Sequence, residues 1–178
     1  MRDTVLYHEI EKTITLDPQA YADQCEKRYH SFLDEVAKKI IDEEIRTIYI
    51  CGQSASGKTT TTARLKIRLE KLGRTCHMIE MDDFFLPKEA LKKNKKGHCD
   101  FETVFALDLD AIYKLKKDIE LGREVCLPEY NFQKKLHSSA AKKVIKKDDT
   151  LIIEGIHSFN NRILKTFGEK NVLKLFIT

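Results

Sequence analysis

Gly52-Gln53-Ser54-Ala55-Ser56-Gly57-Lys58-Thr59 fits G-x-x-x-x-G-K-[ST] at every fixed position, and the residues on either side supply the setting that pattern needs. Before it, Thr47-Ile48-Tyr49-Ile50-Cys51 is a short β-branched and aromatic run that reads as a buried strand. After it, residues 60–72 carry Ala63, Leu65, Ile67, Leu69 and Leu72 among arginine, lysine and glutamate, which predicts a helix. Strand, glycine loop and helix in that order make a phosphate-binding loop. The glycines let backbone N–H groups converge on a β-phosphate with no Cβ in the way, and the helix start adds unpaired donors and partial positive charge. Lys58 is placed to reach the β/γ oxygens and the Thr59 hydroxyl to ligate Mg²⁺. Gly52, Gln53, Ser54, Ala55, Ser56, Gly57, Lys58, Thr59 and Thr60 are therefore the expected residues of a nucleoside triphosphate site.

Upstream of this element, residues 1–16 are short and mixed, and Asp17-Pro18 forms an N-cap and first helical position. The helix they open is expected to run to about Glu44, with Tyr21, Cys25, Phe32, Val36, Ile40 and Ile41 on its core face and Tyr29 and His30 in packing or surface roles. Residues 1–44 thus read as an N-terminal helical extension packed on a core formed by 45–178. Downstream, Leu72-Gly73 ends the loop's helix, and 75–81 reads as a second strand stopping at Asp82-Asp83. Lys88 to His98 is a lysine-rich candidate mobile loop, and Leu107 to Leu121 a further amphipathic helix closed by Gly122. Residues 124–132 and 142–147 suggest a small hairpin or flap, Pro128 confining the first to an edge. A third strand at 151–154, a short helix at 160–167 and a fourth strand at 172–177 follow. Strands alternating with helices predict an α/β fold whose parallel sheet is covered on both faces.

The length is one domain's worth, able to bury roughly 70% of its unfolded surface. With 32 basic against 28 acidic residues, the net charge of +4 is too mild to imply nucleic acid, and the lysine runs lack the interleaved aromatics of a base-stacking surface. Five cysteines, widely spaced and with no C-x-x-C pair, suit a reduced cytoplasmic protein without zinc or disulfides. No apolar run approaches the length that spans a bilayer.

In an open parallel sheet the ligand sits beyond the C-terminal ends of the strands. There the apolar runs stop at acids: Asp82 and Asp83 after the second strand, Glu154 at the end of the third. Each is placed for a Mg²⁺ or water contact, or for a general base near a γ-phosphate; the alternative is that such an acid caps the next turn.

Five segments in order carry a more specific signal: the loop Gly52–Thr59, Met81-Asp82-Asp83-Phe84-Phe85, Gly97-His98-Cys99-Asp100-Phe101-Glu102, Pro128-Glu129-Tyr130-Asn131-Phe132, and Ile152-Ile153-Glu154-Gly155-Ile156-His157. Together they resemble the uridine kinase and phosphoribulokinase family, most closely its bacterial uridine kinase-like nucleoside kinases, over about residues 20–178. The resemblance implies a P-loop NTPase of three α/β/α layers with a nucleoside-monophosphate-kinase-like parallel sheet, and transfer of a phosphoryl group from ATP, with Mg²⁺, to a nucleoside 5′-hydroxyl. It implies that Asp82 acts as base, with Lys58 as the other catalytic group, and that Asp82, Phe85, Asp100, Tyr130 and His137 bind the acceptor. Thr59 and Glu154 would hold the metal. A ribose diol is well held by an acceptor-only carboxylate and a flat base by an aromatic face. The implied partner is a small nucleoside, with neither nucleic acid nor membrane, and a homo-oligomer is compatible.

Several residues depart from the family's pattern. Cys99 stands where the family has a uridine-contacting aromatic, Asn131 replaces an acid, His137 comes two residues late and Ser139 replaces an arginine. The family also continues into an arginine-rich lid and a fifth strand, whereas this sequence stops at Phe176-Ile177-Thr178, so 45–178 reads as a kinase domain truncated before its lid. Two other readings stay open: a P-loop kinase for another small hydroxylated metabolite, pantothenate-like or a sugar phosphate, and a nucleotide-binding module without catalysis. A GTPase switch is disfavoured, because Asn94-Lys95-Lys96-Gly97 lacks the acid of Asn-Lys-x-Asp.

Overall fold

A computed structural model describes residues 17–93, 96–131, 136–139 and 142–178, with 129–131 and 136–139 described through their backbone alone. Residues 1–16, Asn94, Lys95 and the side chains of Tyr130, Asn131, His137 and Ser139 lie outside the described set. The elements are α1 (Pro18–Asp42), β1 (Thr47–Gly52), α2 (Lys58–Lys71), β2 (Cys76–Glu80), a 3₁₀ turn (Met81–Phe84), α3 (Leu109–Glu120), β3 (Glu124–Val125), β4 (Pro128–Asn131), β5 (Leu136–Ser139), β6 (Lys143–Val144), β7 (Thr150–Glu154), α4 (Asn161–Phe167) and β8 (Val172–Ile177). Among the described residues no helix is long and apolar enough to cross a membrane.

Four strands form one parallel sheet in the order β2-β7-β1-β8. Successive side chains of a strand point to opposite faces, and the two cores follow that alternation. Ile48, Ile50 and Ile152 face one way, against Val36, Ala37 and Ile40 of α1 and Leu65 and Leu69 of α2. Tyr49, Leu151 and Ile153 face the other, against Ile112, Leu115 and Ile119 of α3 and Ile163, Leu164 and Phe167 of α4. The expected three-layer architecture with a parallel central sheet is what the chain forms. Tyr49 is fully buried and satisfies its hydroxyl by donating to the Gly168 carbonyl at 2.6 Å.

Asp17 caps α1 by accepting from the Gln19 amide at 2.9 Å. The buried stripe of α1 runs through Leu33 rather than Phe32, which is 45% exposed, and the expected core residue Cys25 is also exposed. Residues 33, 36, 37 and 40 are the i, i+3, i+4, i+7 set that fits one neighbour, and Phe32 falls off it. Likewise Ile67 and Leu72 are exposed, because α2 turns Thr61, Leu65 and Leu69 inward. Tyr29 and His30 are packing residues: the Tyr29 hydroxyl meets Thr61 Oγ1 at 2.8 Å, and His30 Nδ1 lies 2.7 Å from an Arg68 nitrogen.

The flap differs from expectation. Residues 124–125 pair with 143–144, but 128–131 pair with an additional strand, β5, so two short antiparallel ribbons replace one hairpin. The described part of the lysine-rich loop is folded back on itself by a bridge between Lys93 and Cys99, with Leu91 buried beneath.

Candidate functional site

β1 delivers the chain to the phosphate loop at Gly52, where a side chain has no room. A Cβ there would stand 2.2 Å from the Ile177 carbonyl oxygen of β8 and 2.8 Å from Ser56 Oγ. The loop then turns through Ala55 at φ 62° and Gly57 at φ 88°, the left-handed region that glycine enters without strain, and α2 begins at Lys58. Lys58 is buried, and its Nζ donates to the Gln53 carbonyl at 2.8 Å across the loop. Ser56 Oγ is buried with no hydrogen-bond partner. A buried polar atom without a partner at such a place is one that a ligand can satisfy.

The carboxylates stand at the strand ends. β7 ends at Glu154, whose Cα is in register with Ile50 of β1 and Glu80 of β2, and the 3₁₀ turn after β2 carries Asp82 and Asp83. Asp82 Oδ1 is buried without a hydrogen-bond partner. Burial raises the Asp82 carboxyl above the ordinary carboxylate range, while the charges of Lys58 and His157 oppose the rise. Burial likewise raises Glu154, Asp82 and Asp83 add to it, and the Thr59 hydroxyl bond and Lys58 act against it. Thr59 Oγ1 donates to Glu154 Oε2 at 3.1 Å. Lys58, Thr59, Asp82, Asp83 and Glu154 therefore form one electrostatic cluster beside the loop.

Among the described residues no group of three or more His, Cys, Asp or Glu side chains is gathered closely enough to hold a metal ion. Mg²⁺ needs less from a protein, since it keeps several waters and takes one or two protein oxygens beside substrate phosphates. Glu154 and Thr59 fit that role: a desolvated carboxylate that also feels the charges of Asp82 and Asp83 is relieved by a cation, and the hydroxyl beside it supplies a second oxygen.

The expected acceptor residues lie on three segments. β4 lies against the 3₁₀ turn. Within the ribbon the backbones of Tyr130 and His137 are direct partners. Asp100 is half-buried, its amide donates to the Lys92 carbonyl at 2.9 Å, and its Oδ1 accepts from the Glu102 amide at 3.1 Å. Phe85 is buried, its ring in a T-shaped contact with Phe101 at 4.9 Å. Thr60 is exposed in the first turn of α2. Two residues outside the expected set are drawn in as well. His157 is buried with Nε2 2.8 Å from the Phe101 carbonyl, and the Ser158 hydroxyl donates to the Ile50 carbonyl at 3.0 Å. The sequence signal for His157 is its place at the end of the 152–157 segment.

A family model described as phosphoribulokinase / uridine kinase family matches residues 47–173. The chain is similar to uridine kinases of Staphylococcus aureus strains JH9 and Newman, at 29% identity over 118 residues, 66% of this chain and 56% of each relative. It thus spans little more than half the length of these relatives. Among solved structures, one described as a possible uridine kinase from Bacillus stearothermophilus superposes with a TM-score of 0.65 at 22% identity, covering 84% of this chain and 80% of that one. A D-glycerate 3-kinase from Cryptococcus neoformans superposes with a TM-score of 0.57 at 17% identity, covering 72% and 53%. At these identities the superpositions speak to the fold.

Proposed function

Because the chain belongs to the phosphoribulokinase / uridine kinase family, whose members are phosphotransferases with alcohol acceptors, we propose that it transfers the γ-phosphoryl group of ATP to the 5′-hydroxyl of uridine, cytidine or a related nucleoside. The observation that carries this reading is Asp82 Oδ1, a buried carboxylate oxygen without a hydrogen-bond partner within the electrostatic reach of Lys58. A carboxylate kept partly desolvated next to a phosphate loop suits a general base for a hydroxyl acceptor.

In this reading residues 52–60 bind the triphosphate through backbone N–H groups, and Lys58 leaves the Gln53 carbonyl for the β/γ oxygens. Thr59 and Glu154 would hold Mg²⁺, which when bound would offset phosphate charge. Asp82 takes the proton of the attacking hydroxyl as the new O–P bond forms and the bond from the γ-phosphorus to the β,γ-bridging oxygen breaks, releasing ADP. Asp100 accepts the ribose hydroxyls, and Tyr130, His137 and Phe85 shape the base side. Residues 45–178 constitute the kinase domain and 1–44 an N-terminal extension, of which α1 packs on the core through Val36, Ala37 and Ile40. The five cysteines are free, which fits action in the cytoplasm.

One experiment tests the reading: ADP formation from ATP and Mg²⁺ across a panel of nucleosides, sugar phosphates, pantothenate and glycerate, beside ATP binding. Acceptor-dependent ADP with uridine or cytidine is the expected result. Turnover only with a non-nucleoside favours the second reading, to which Cys99 and the bond from the Glu102 amide to Asp100 lend support. ATP binding with no acceptor-dependent turnover leaves a nucleotide-binding module.

A further inference from the structure

His157 is held from behind by the strand that enters the phosphate loop. Its turn is fixed to β1 by three bonds: the Gly155 amide to the Ile50 carbonyl at 3.1 Å, the Ser158 hydroxyl to the same carbonyl at 3.0 Å, and the Cys51 thiol to the Ile156 carbonyl at 3.4 Å. On its other flank the turn abuts the segment bearing Asp82, since a Cβ on Gly155 would stand 2.9 Å from Met81 Cβ. From this base the imidazole reaches across to a distant part of the chain and meets the Phe101 carbonyl at 2.8 Å. A carbonyl only accepts, so Nε2 carries the proton and the tautomer is fixed by the contact. The ring also stands edge-on to Phe85 at 6.3 Å, and Phe85 in turn meets Phe101 at 4.9 Å.

The geometry points to His157 as a positioning residue that ties the acceptor segment 97–102, and with it Asp100, to the strand end carrying the phosphate loop. This rests on the acceptor role proposed for Asp100. If His157 only filled space, a residue of similar bulk and no N–H would serve as well. The donor instead adds a directed bond between two segments that otherwise meet through apolar packing, Phe101 against Phe85 and the core, and it does so one residue from Asp100. Transfer between two bound substrates is steep in their mutual geometry, so a strut between the two subsites acts on the acceptor side without touching either ligand.

His157→Phe keeps ring packing and removes the donor, whereas His157→Gln keeps an N–H near the Nε2 position. Steady-state kinetics, ATP titration and amide hydrogen exchange are measured on both. In His157→Phe the acceptor KM rises about tenfold, the size of one lost hydrogen bond. Exchange quickens in peptides covering 97–103, while ATP affinity and exchange in 50–60 stay unchanged. His157→Gln restores most of the acceptor KM and slow exchange. The inference is overturned if His157→Phe leaves both KM and exchange at 97–103 unaltered, if ATP affinity falls in step with acceptor affinity, or if His157→Gln is as impaired as His157→Phe. Should the Phe variant not fold, His157→Asn, too short to reach Phe101, takes its place with the same expected outcomes. If the wild type phosphorylates no nucleoside, the nucleoside reading fails on that ground alone, and exchange at 97–103 still decides the role of His157: faster exchange upholds it and unchanged exchange overturns it.

Discussion

The phosphate loop grows out of a strand with hydrogen-bonded neighbours on both sides, β7 and β8, whereas the acceptor segments hang from the rim of the sheet on two-strand ribbons and a folded-back loop. On the proposed donor side the recognising groups are backbone N–H groups, and the path of that backbone is fixed by close contacts such as that of Gly52 with Ile177. On the acceptor side the candidate groups are side chains borrowed from the 3₁₀ turn, the 97–102 segment and β4–β5. A backbone cradle leaves little freedom in residue type, so it writes itself as a short fixed motif. Side chains on separate loops can be exchanged one at a time, which lets one scaffold serve different acceptors.

The sharpest way to break this contrast is Lys58→Ala. Removing the point charge on the loop should abolish tight ATP binding, read by titration, while the fold, read by circular dichroism, stays intact. Unchanged ATP affinity would mean that the donor is not held where the loop indicates. Next in size is Asp82→Asn, which keeps shape but cannot take a proton. Turnover should fall ~10² to 10⁴-fold with ATP still bound. Because burial raises the Asp82 carboxyl, wild-type kcat/KM should also decline on the acid side at a pH above the ordinary carboxylate range of about 3.9. A loss confined to ATP affinity would move Asp82 to the donor side.

Asp100 sharpens the acceptor half. Asp100→Ala should raise the nucleoside KM by roughly ten- to a hundredfold, the effect of one or two charge-assisted bonds, and erase the preference for uridine over 2′-deoxyuridine. Asp100→Asn keeps an oxygen for the Glu102 amide, so it separates turn from clamp. If it retains riboside preference, the carboxylate serves the loop and not the sugar.

The smallest expected effect concerns stability. Glu154 has its carboxyl raised by burial and by Asp82 and Asp83, so the folded protein binds its proton more tightly than the unfolded chain does. The stability it lends is present at low pH and lost as pH rises through the folded value. Glu154→Gln, neutral throughout, should therefore melt higher than wild type near pH 8, by about 2–4 °C for each kcal/mol in a domain of this size, with the gap closing towards acid. A variant less stable at pH 8 would show that Glu154 is compensated already in the free protein.

The contrast also explains what could be read from the sequence. The strands of the sheet and the loop stood out because β-branched runs, a glycine motif and helix caps are local signals. Strand β5 did not, because Leu136-His137-Ser138-Ser139 is short and largely polar and, among the described residues, pairs with β4 alone. The buried stripe of α1 lies one residue from Phe32, because apolar character alone does not say which face finds a neighbour to pack on. In α2, Thr61 and Thr62, polar in sequence, occupy the buried face. The acids at the strand ends could be foreseen from an apolar run that stops. His157 is marked only as the last residue of the 152–157 segment; its role is not, since its partner is a backbone carbonyl, and main-chain acceptors leave no mark in residue type.

The sheet's register has a further consequence for how the molecule comes into being. β1, which feeds the phosphate loop, is flanked by strands that lie far along the chain: Thr47 pairs with Leu151 and Val172, and Gly52 with Ile177. On a ribosome, the loop sequence emerges long before either flanking strand exists. Helices α1 and α2 can coil early, but the parallel ladders that fix the floor of the loop must wait for long-range closure, the slow step in such topologies. A nascent chain halted before β7 should then carry the complete motif and yet not hold ATP, gaining the ability only as the strand through Ile177 is laid against Gly52.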